Sequence, residues 1–313
     1  MRIGILGAGN MGGAIARGYA AGGGRVCVYD PDAAKTDALV AASAGQGTMP
    51  VEQETLQARP ESTQTGQGAK TMITADSCAV DTSEKTGVIE VAADEAELMA
   101  KSDVVVFAIK PQMFEEVIPR IAKICDAASM DSGGKVFVSI AAGVGIDWLA
   151  RALGGDAKII RVMPNTPAMV GEGMSALARS GSVTDAEFDA VRGVFSAVGR
   201  VTEVSEDQLD AVTGVSGSSP AYAYMYMQAL IESGIRHGLD EKDARLMAAQ
   251  ATLGAAKMVI ENEDVSAEQL RINVCSPGGT TIEAVHVLEA ERFMDTVKRA
   301  VYACVEKSKR MRK

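Results

Sequence analysis

An α/β fold, with an N-terminal doubly wound sheet followed by an all-helical C-terminal domain, is what three features of this 313-residue sequence predict. Short apolar runs alternate with helical patterns over the first two thirds of the chain, as in a parallel sheet covered by helices. A glycine-rich turn sits between the first strand-like run and the first helix-like one. From about Ser205 onward the strand signals stop and only long helical patterns remain.

Taken in order, Ile3 to Leu6 reads as a strand, Met11 to Tyr19 as a helix and Val26 to Tyr29 as the next strand, which opens a βαβ unit. Further strands are expected at Val104–Ile109, before Lys110-Pro111; at Val136–Ile140, before Ala141-Ala142-Gly143; and at Ile159–Met163, before Pro164-Asn165-Thr166-Pro167. Between residues 42 and 85 the periodicity collapses into a stretch rich in Gly, Gln, Thr, Ser and Glu. Such a segment buries too little apolar surface to offset its ordering entropy, so it is expected to be a disordered insertion extruded from the surface. The first domain is thus assigned to residues 1–204 and the second to 205–313, with helices at Pro220–His237, Glu241–Asn262, Thr280–Glu289 and Ala290–Lys309.

The turn itself is Gly7-Ala8-Gly9-Asn10-Met11-Gly12, a G-x-G-x-x-G that follows a strand and opens a helix. In that context Gly7 makes the tight turn, Gly9 lets the backbone approach a pyrophosphate and Gly12 permits close helix–strand packing. The N–H groups of Asn10 and Met11 lie at the positive end of the helix, where an anion is received. An acidic residue, Asp30, closes the second strand, as expected for a Rossmann-type dinucleotide site. A carboxylate there accepts hydrogen bonds from the adenosine ribose and opposes a 2′-phosphate, which leans towards NADH; Lys35, a turn further on, keeps NADPH open.

Composition excludes several classes. A formal net charge of −10 repels a nucleic-acid backbone, and the basic tail from Lys307 to Lys313 reads as a solvated helix end. No run approaches the length of a membrane span, and the first residues lack a basic segment leading into an apolar stretch, so a cytoplasmic protein without membrane contact is expected. The five cysteines are scattered and form no C-x-x-C pair, and no metal-ligand spacing appears. His237 and His286 fall within helical patterns and read as surface or packing residues.

Two segments of the helical domain stand out. In Ser276-Pro277-Gly278-Gly279-Thr280-Thr281-Ile282-Glu283, paired glycines precede an amphipathic helix, and Thr280 with Glu283 makes a plausible capping box. The segment reads equally well as an ordinary capped helix or as a carboxylate site built from backbone N–H groups. Ser216-Gly217-Ser218-Ser219-Pro220 reads as the opening of the long helix after it. That helix, with Ala221-Tyr222-Ala223-Tyr224-Met225-Tyr226-Met227, is apolar nearly all round and asks for burial on every side. A homodimer through the helical domain is therefore expected, and a higher oligomer stays open.

These segments, together with Ala108-Ile109-Lys110-Pro111-Gln112, Ala141-Ala142-Gly143-Val144, Arg161 to Pro167, Asp210 to Ser218 and Ala249 to Lys257, resemble the pyrroline-5-carboxylate reductase family. The resemblance runs nearly end to end and leaves out only the insertion. It implies NAD(P)H-dependent reduction of 1-pyrroline-5-carboxylate to L-proline. It also implies that Ser276, Gly278, Gly279 and Thr280 hold the substrate carboxylate, with Asn273 in the adjoining wall, and that Thr281 hydrogen-bonds the ring nitrogen. The cofactor, NADPH or NADH, would lie along Gly7 to Gly12, then Ala108, Lys110 and Pro111, then Ala141, Ala142 and Gly143, with Asn165 near the nicotinamide. Asp30 departs from the polar or basic pattern of NADPH-using members. Two rivals share the domain plan: another imine or hydroxy-acid dehydrogenase, for which Lys257 is the candidate lysine, and a non-catalytic dinucleotide-binding paralogue, which an intact loop from Ser276 to Thr281 argues against.

Overall fold

A computed structural model describes residues 1–43, 87–128 and 134–312. The expected insertion falls almost wholly outside them. Strands β1 (Arg2–Leu6), β2 (Arg25–Tyr29), β3 (Val88–Val91), β4 (Val104–Phe107), β5 (Val136–Ser139), β6 (Lys158–Met163), β7 (Gly173–Arg179) and β8 (Gly199–Glu203) form one sheet in the order β3-β2-β1-β4-β5-β6-β7-β8. Every neighbouring pair is parallel except β6 with β7.

The strands from β1 to β6 are apolar on both faces because helices cover both. On one face α1 (Asn10–Ala21), α2 (Ala33–Ser43) and α6 (Asp185–Ser196) pack Ile15, Leu39, Phe188, Val191 and Phe195 against Ile3, Ile5, Val104, Val106, Val138 and Ile160. On the other, α3 (Glu95–Lys101), α4 (Phe114–Ala127) and α5 (Ile146–Leu153) pack Leu98, Phe114, Ile118, Ile121 and Leu149 against Val105, Phe107, Phe137 and Ile159. Phe107 stacks on Phe137 with ring centroids 5.8 Å apart, fixing the register between neighbouring strands of this layer.

Strands β3, β7 and β8 are absent from the sequence reading. Strand β7, Gly-Met-Ser-Ala-Leu-Ala-Arg, consists largely of residues that disfavour strands, and its pairing with β6 and β8 supplies what propensity does not. The expected strands at 104–109 and 136–140 end earlier, at Phe107 and Ser139, where the chain turns out of the sheet.

The second domain is helical, as expected: α7 (Leu209–Val212), α8 (Ser219–Arg236), α9 (Glu241–Glu261), α10 (Ala267–Asn273), α11 (Thr280–Ala290) and α12 (Phe293–Met311). Ser216 and Gly217 do not open α8 afresh. A π-helical turn over Thr213–Gly217 carries α7 towards it, and Val301 and Val305 of α12 lie against Gly214 of that turn. The last helix starts at Phe293 rather than Ala290, because Arg292 takes a left-handed conformation with φ 56° and separates it from α11. Within a single chain α8 and α11 bury no residue, α9 buries only Ala244 and Ala248, and α12 only Ser308. Met225 is 75% exposed, Leu246 64% and Tyr302 68%, so the apolar helix faces predicted from sequence stand uncovered in one copy. No helix among the described residues is long and apolar enough to cross a membrane.

Candidate active site

In a doubly wound sheet, ligands bind beyond the carboxyl ends of the strands where the strand order reverses. Here that point lies between β1 and β4, and the loops leaving them carry the predicted glycine turn and Ala108–Pro111. Gly7 adopts φ +108°, and a side chain there would meet the Ala108 carbonyl oxygen at 2.6 Å. A side chain on Gly12 would strike the Gly7 carbonyl and the Ala108 methyl. The three residues thus form a cradle that only bare backbone allows. Gly9 caps α1 with no side-chain hydrogen bond, and no acidic residue occupies the first turn from Asn10 and Met11 onward. The positive end of a twelve-residue helix is left for an anion, so the residues present fit a dinucleotide pyrophosphate.

Asp30 stands beside this cradle, but its carboxylate is already engaged. One oxygen accepts the Ala8 N–H at 2.8 Å and the other the Asp32 N–H at 2.9 Å. The residue therefore holds the glycine turn to the end of β2 as well as placing a negative charge there.

The loop after β5 supplies Ala141, Ala142 and Gly143, with Ala141 and Gly143 buried and Gly143 at φ +78°. Its far end is fixed by a group the sequence reading missed: Oε1 of Glu206 accepts the Ile146 N–H at 2.8 Å and the guanidinium of Arg161 at 2.7 Å. A charged residue in the middle of strand 158–163, with Ile160 and Val162 on either side, was the available signal, since a buried guanidinium demands a partner. Asn165 extends from β6 to the helical domain. Its Nδ2 donates to the Ser216 carbonyl at 3.2 Å, while its Oδ1 accepts the Met174 N–H at 2.9 Å.

The segment from Ser276 to Thr281 is less enclosed. Gly278 takes φ +70°, and the Gly279 N–H donates to the Ser276 carbonyl at 3.0 Å, which folds the loop onto itself. The expected capping box is absent: Gly279 is the N-cap of α11, and Thr280 is already its first helical residue, so its hydroxyl cannot cap. The first turn of α11 therefore begins without a side-chain cap, with Glu283 in that turn. Asn273 ends α10 and its Oδ1 accepts from Gln269 at 2.9 Å. Asn273, Ser276, Thr280 and Thr281 are all exposed, and no hydrogen bond or ion pair joins 276–281 to the sheet domain among the described residues.

Other groups are accounted for structurally. Nδ1 of His237 lies 2.8 Å from the Ser233 carbonyl at the end of α8, and Lys257 pairs with Glu261 at 3.5 Å on an exposed face. Burial pushes the Cys27 and Cys125 thiols up, which makes them poor nucleophiles. Burial and the neighbouring Cys304 push the Tyr222 hydroxyl up as well, and the Ser218 hydroxyl lies 3.2 Å from the Cys304 sulfur, a polar cluster that ties α8 to α12. No group of three or more candidate metal ligands occurs among the described residues. The basic tail is not simply solvated: Arg312 pairs with Asp207 at 3.2 Å and with Asp210 at 2.7 Å.

Comparison with known proteins agrees with this arrangement. The family described as pyrroline-5-carboxylate reductase dimerisation matches residues 206–311, and that described as NADP oxidoreductase, coenzyme F420-dependent, matches residues 2–143. A pyrroline-5-carboxylate reductase of Escherichia coli is 42% identical over 223 residues, covering 71% of this chain and 80% of its own; one from Synechocystis is 39% identical over 74% and 83%. Among solved structures, a pyrroline-5-carboxylate reductase from Coxiella burnetii superposes with a TM-score of 0.77 at 28% identity, covering 99% of this chain and 98% of that one. The pyrroline carboxylate reductase of Plasmodium falciparum with NADP bound gives 0.73 at 26% identity over the same shares.

Proposed function

The chain belongs to the pyrroline-5-carboxylate reductase family and is an NAD(P)-dependent oxidoreductase acting on a C=N bond; from that premise we propose the following division of labour among its residues. Gly7, Gly9, Asn10, Met11 and Gly12 hold the pyrophosphate, and Ala108, Lys110, Pro111, Ala141, Ala142, Gly143 and Asn165 line the path towards the nicotinamide. Ser276, Gly278, Gly279 and Thr280 take the carboxylate of 1-pyrroline-5-carboxylate, Asn273 walls the pocket, and Thr281 faces the ring nitrogen. The bound dinucleotide supplies the hydride that the imine carbon accepts. The carbon is electrophilic enough when its nitrogen is protonated, so the hydroxyl of Thr281 needs only to hold that proton in place. On this reading the reaction asks neither histidine for acid–base work.

The observation that carries the reading is the uncapped start of α11 behind the folded Ser276–Gly279 loop, in a chain whose glycine cradle rejects side chains. The loop and the cradle share no hydrogen bond among the described residues, and the faces of α8, α9 and α12 are uncovered. A homodimer through these helices, working in the cytoplasm, therefore completes the site. Asp30 favours NADH because its charge opposes a 2′-phosphate. The test is oxidation of NADH and of NADPH by purified protein with 1-pyrroline-5-carboxylate, followed by absorbance. Absence of turnover with both would overturn the assignment.

A further inference from the structure

The tail of the chain returns to the sheet domain beside the loop after β5. At Gly143, a side chain would meet the Met311 carbonyl oxygen at 2.6 Å and its Cβ at 3.0 Å, so the end of α12 lies directly on this turn. What fixes the tail there is a buried carboxylate. Asp210, 2% exposed, accepts the Ser308 hydroxyl at 2.7 Å on Oδ1, and Nη2 of Arg312 lies 2.7 Å from its Oδ2. Nη1 of the same guanidinium reaches the Asp207 carboxylate at 3.2 Å, and Nη2 donates to the Asp207 carbonyl at 3.3 Å. A charge left in so dry a place without its partner is costly, so Asp210 holds both Ser308 and Arg312 in one position.

We propose that Asp210, Ser308 and Arg312 form a latch that positions the Gly143 turn for the cofactor, making Arg312 a positioning residue for the reaction although it touches no reacting atom. The proposal rests on the assignment of Ala141–Gly143 to the cofactor site. Glu206 anchors the far side of the loop through the Ile146 N–H, and the tail is its support on the near side. Without the latch the end of α12 frays, Met311 leaves the turn, and the backbone that meets the dinucleotide loses its fixed geometry. Misplacement by a fraction of an ångström to one ångström weakens binding without changing any contacting residue.

The experiment compares Arg312→Ala, Arg312→Lys, Ser308→Ala and the parent, each as the full-length chain with its mass in solution verified. Dissociation constants for NADH and NADPH are read by fluorescence, and KM for cofactor and for imine, kcat and Tm are measured alongside. The latch predicts that Arg312→Ala raises the dissociation constant and KM of the preferred cofactor by about tenfold, with KM for the imine within about twofold. Arg312→Lys should recover part of the loss, because it keeps the charge and loses the fork. Cofactor affinity within about twofold of the parent in both Arg312→Ala and Ser308→Ala would overturn the latch. So would a loss shared equally by cofactor and imine and tracking Tm, which marks a merely structural tail. A parent that binds neither dinucleotide would instead overturn the cofactor site on which the latch rests.

Discussion

Replacing Glu206 with alanine tests how the helical segment that follows the sheet anchors the loop after β5. Its carboxylate pairs at 2.7 Å with Arg161, whose side chain is 6% exposed while that of Glu206 is 32% exposed. Removing one member of a buried pair costs roughly 3–5 kcal/mol, because the charge left behind stays desolvated. Water reaches the carboxylate side, so the lower figure of about 3 kcal/mol applies. The Ile146 N–H loses its acceptor too, adding about 1 kcal/mol. At roughly 2–4 °C per kcal/mol for a body of this size, Tm should fall by about 8–16 °C in differential scanning calorimetry. The double variant Arg161→Met/Glu206→Leu removes both charges and should return to within about 4 °C of the parent, since only the Ile146 N–H remains unsatisfied. A single variant that loses less than about 4 °C, or a double variant no more stable than the single one, would refute the argument that an orphaned guanidinium sets the cost.

Asp30→Ser should shift the ratio of kcat/KM for NADH over NADPH towards NADPH by about tenfold, and an unchanged ratio would mean the carboxylate acts only on the Ala8 and Asp32 N–H groups. Thr281→Ala should lower kcat by about tenfold, on the order of 1.4 kcal/mol, with dinucleotide affinity intact by fluorescence titration; unaltered turnover removes Thr281 from the reaction. Gly12→Ala forces a methyl into the Gly7 carbonyl and Ala108, and should destabilise by about 1–3 kcal/mol in urea titration while abolishing dinucleotide binding. Leu246→Asp places a charge on the exposed face of α9 and should yield monomers by light scattering, with activity lost; an active monomer contradicts assembly of the site by pairing.

What could be read from the sequence follows the range over which each signal acts. The glycine turn was legible because strand, turn and helix are contiguous, and the long helices because their apolar periodicity is local. Strand β7 was not: Gly173, Ala176 and Ala178 favour no strand, and the evidence for one lies in β6 and β8, on either side of it in space. The same limit hid the second role of Asp30, whose partner Ala8 is 22 residues away, and the docking of the tail, where Ser308 meets Asp210 across 98 residues. The capping box failed for a different reason. Its residues are right but the helix starts one position early for them, at Thr280 rather than after it.

The chemistry explains where the chain spends its polar groups. Hydride addition to a protonated imine asks little of acids and bases, so rate depends on how firmly two partners are held at reacting distance. The charged groups that tie the loops down accordingly sit outside the proposed reacting centre: Asp30 holds the glycine turn, Glu206 with the buried Arg161 the end of the loop after β5, and the buried Asp210 with Arg312 the tail that rests on its Gly143 turn. Asp30 and Glu206 act on backbone N–H groups and Asp210 on the Ser308 hydroxyl and Arg312, and at the cofactor site we propose it is backbone that the dinucleotide meets. The loop from Ser276 to Thr281, to which we assign the imine, has no such tie to the sheet domain among the described residues. On the proposed homodimer, dilution below its dissociation constant should cost activity on the imine before it costs dinucleotide binding.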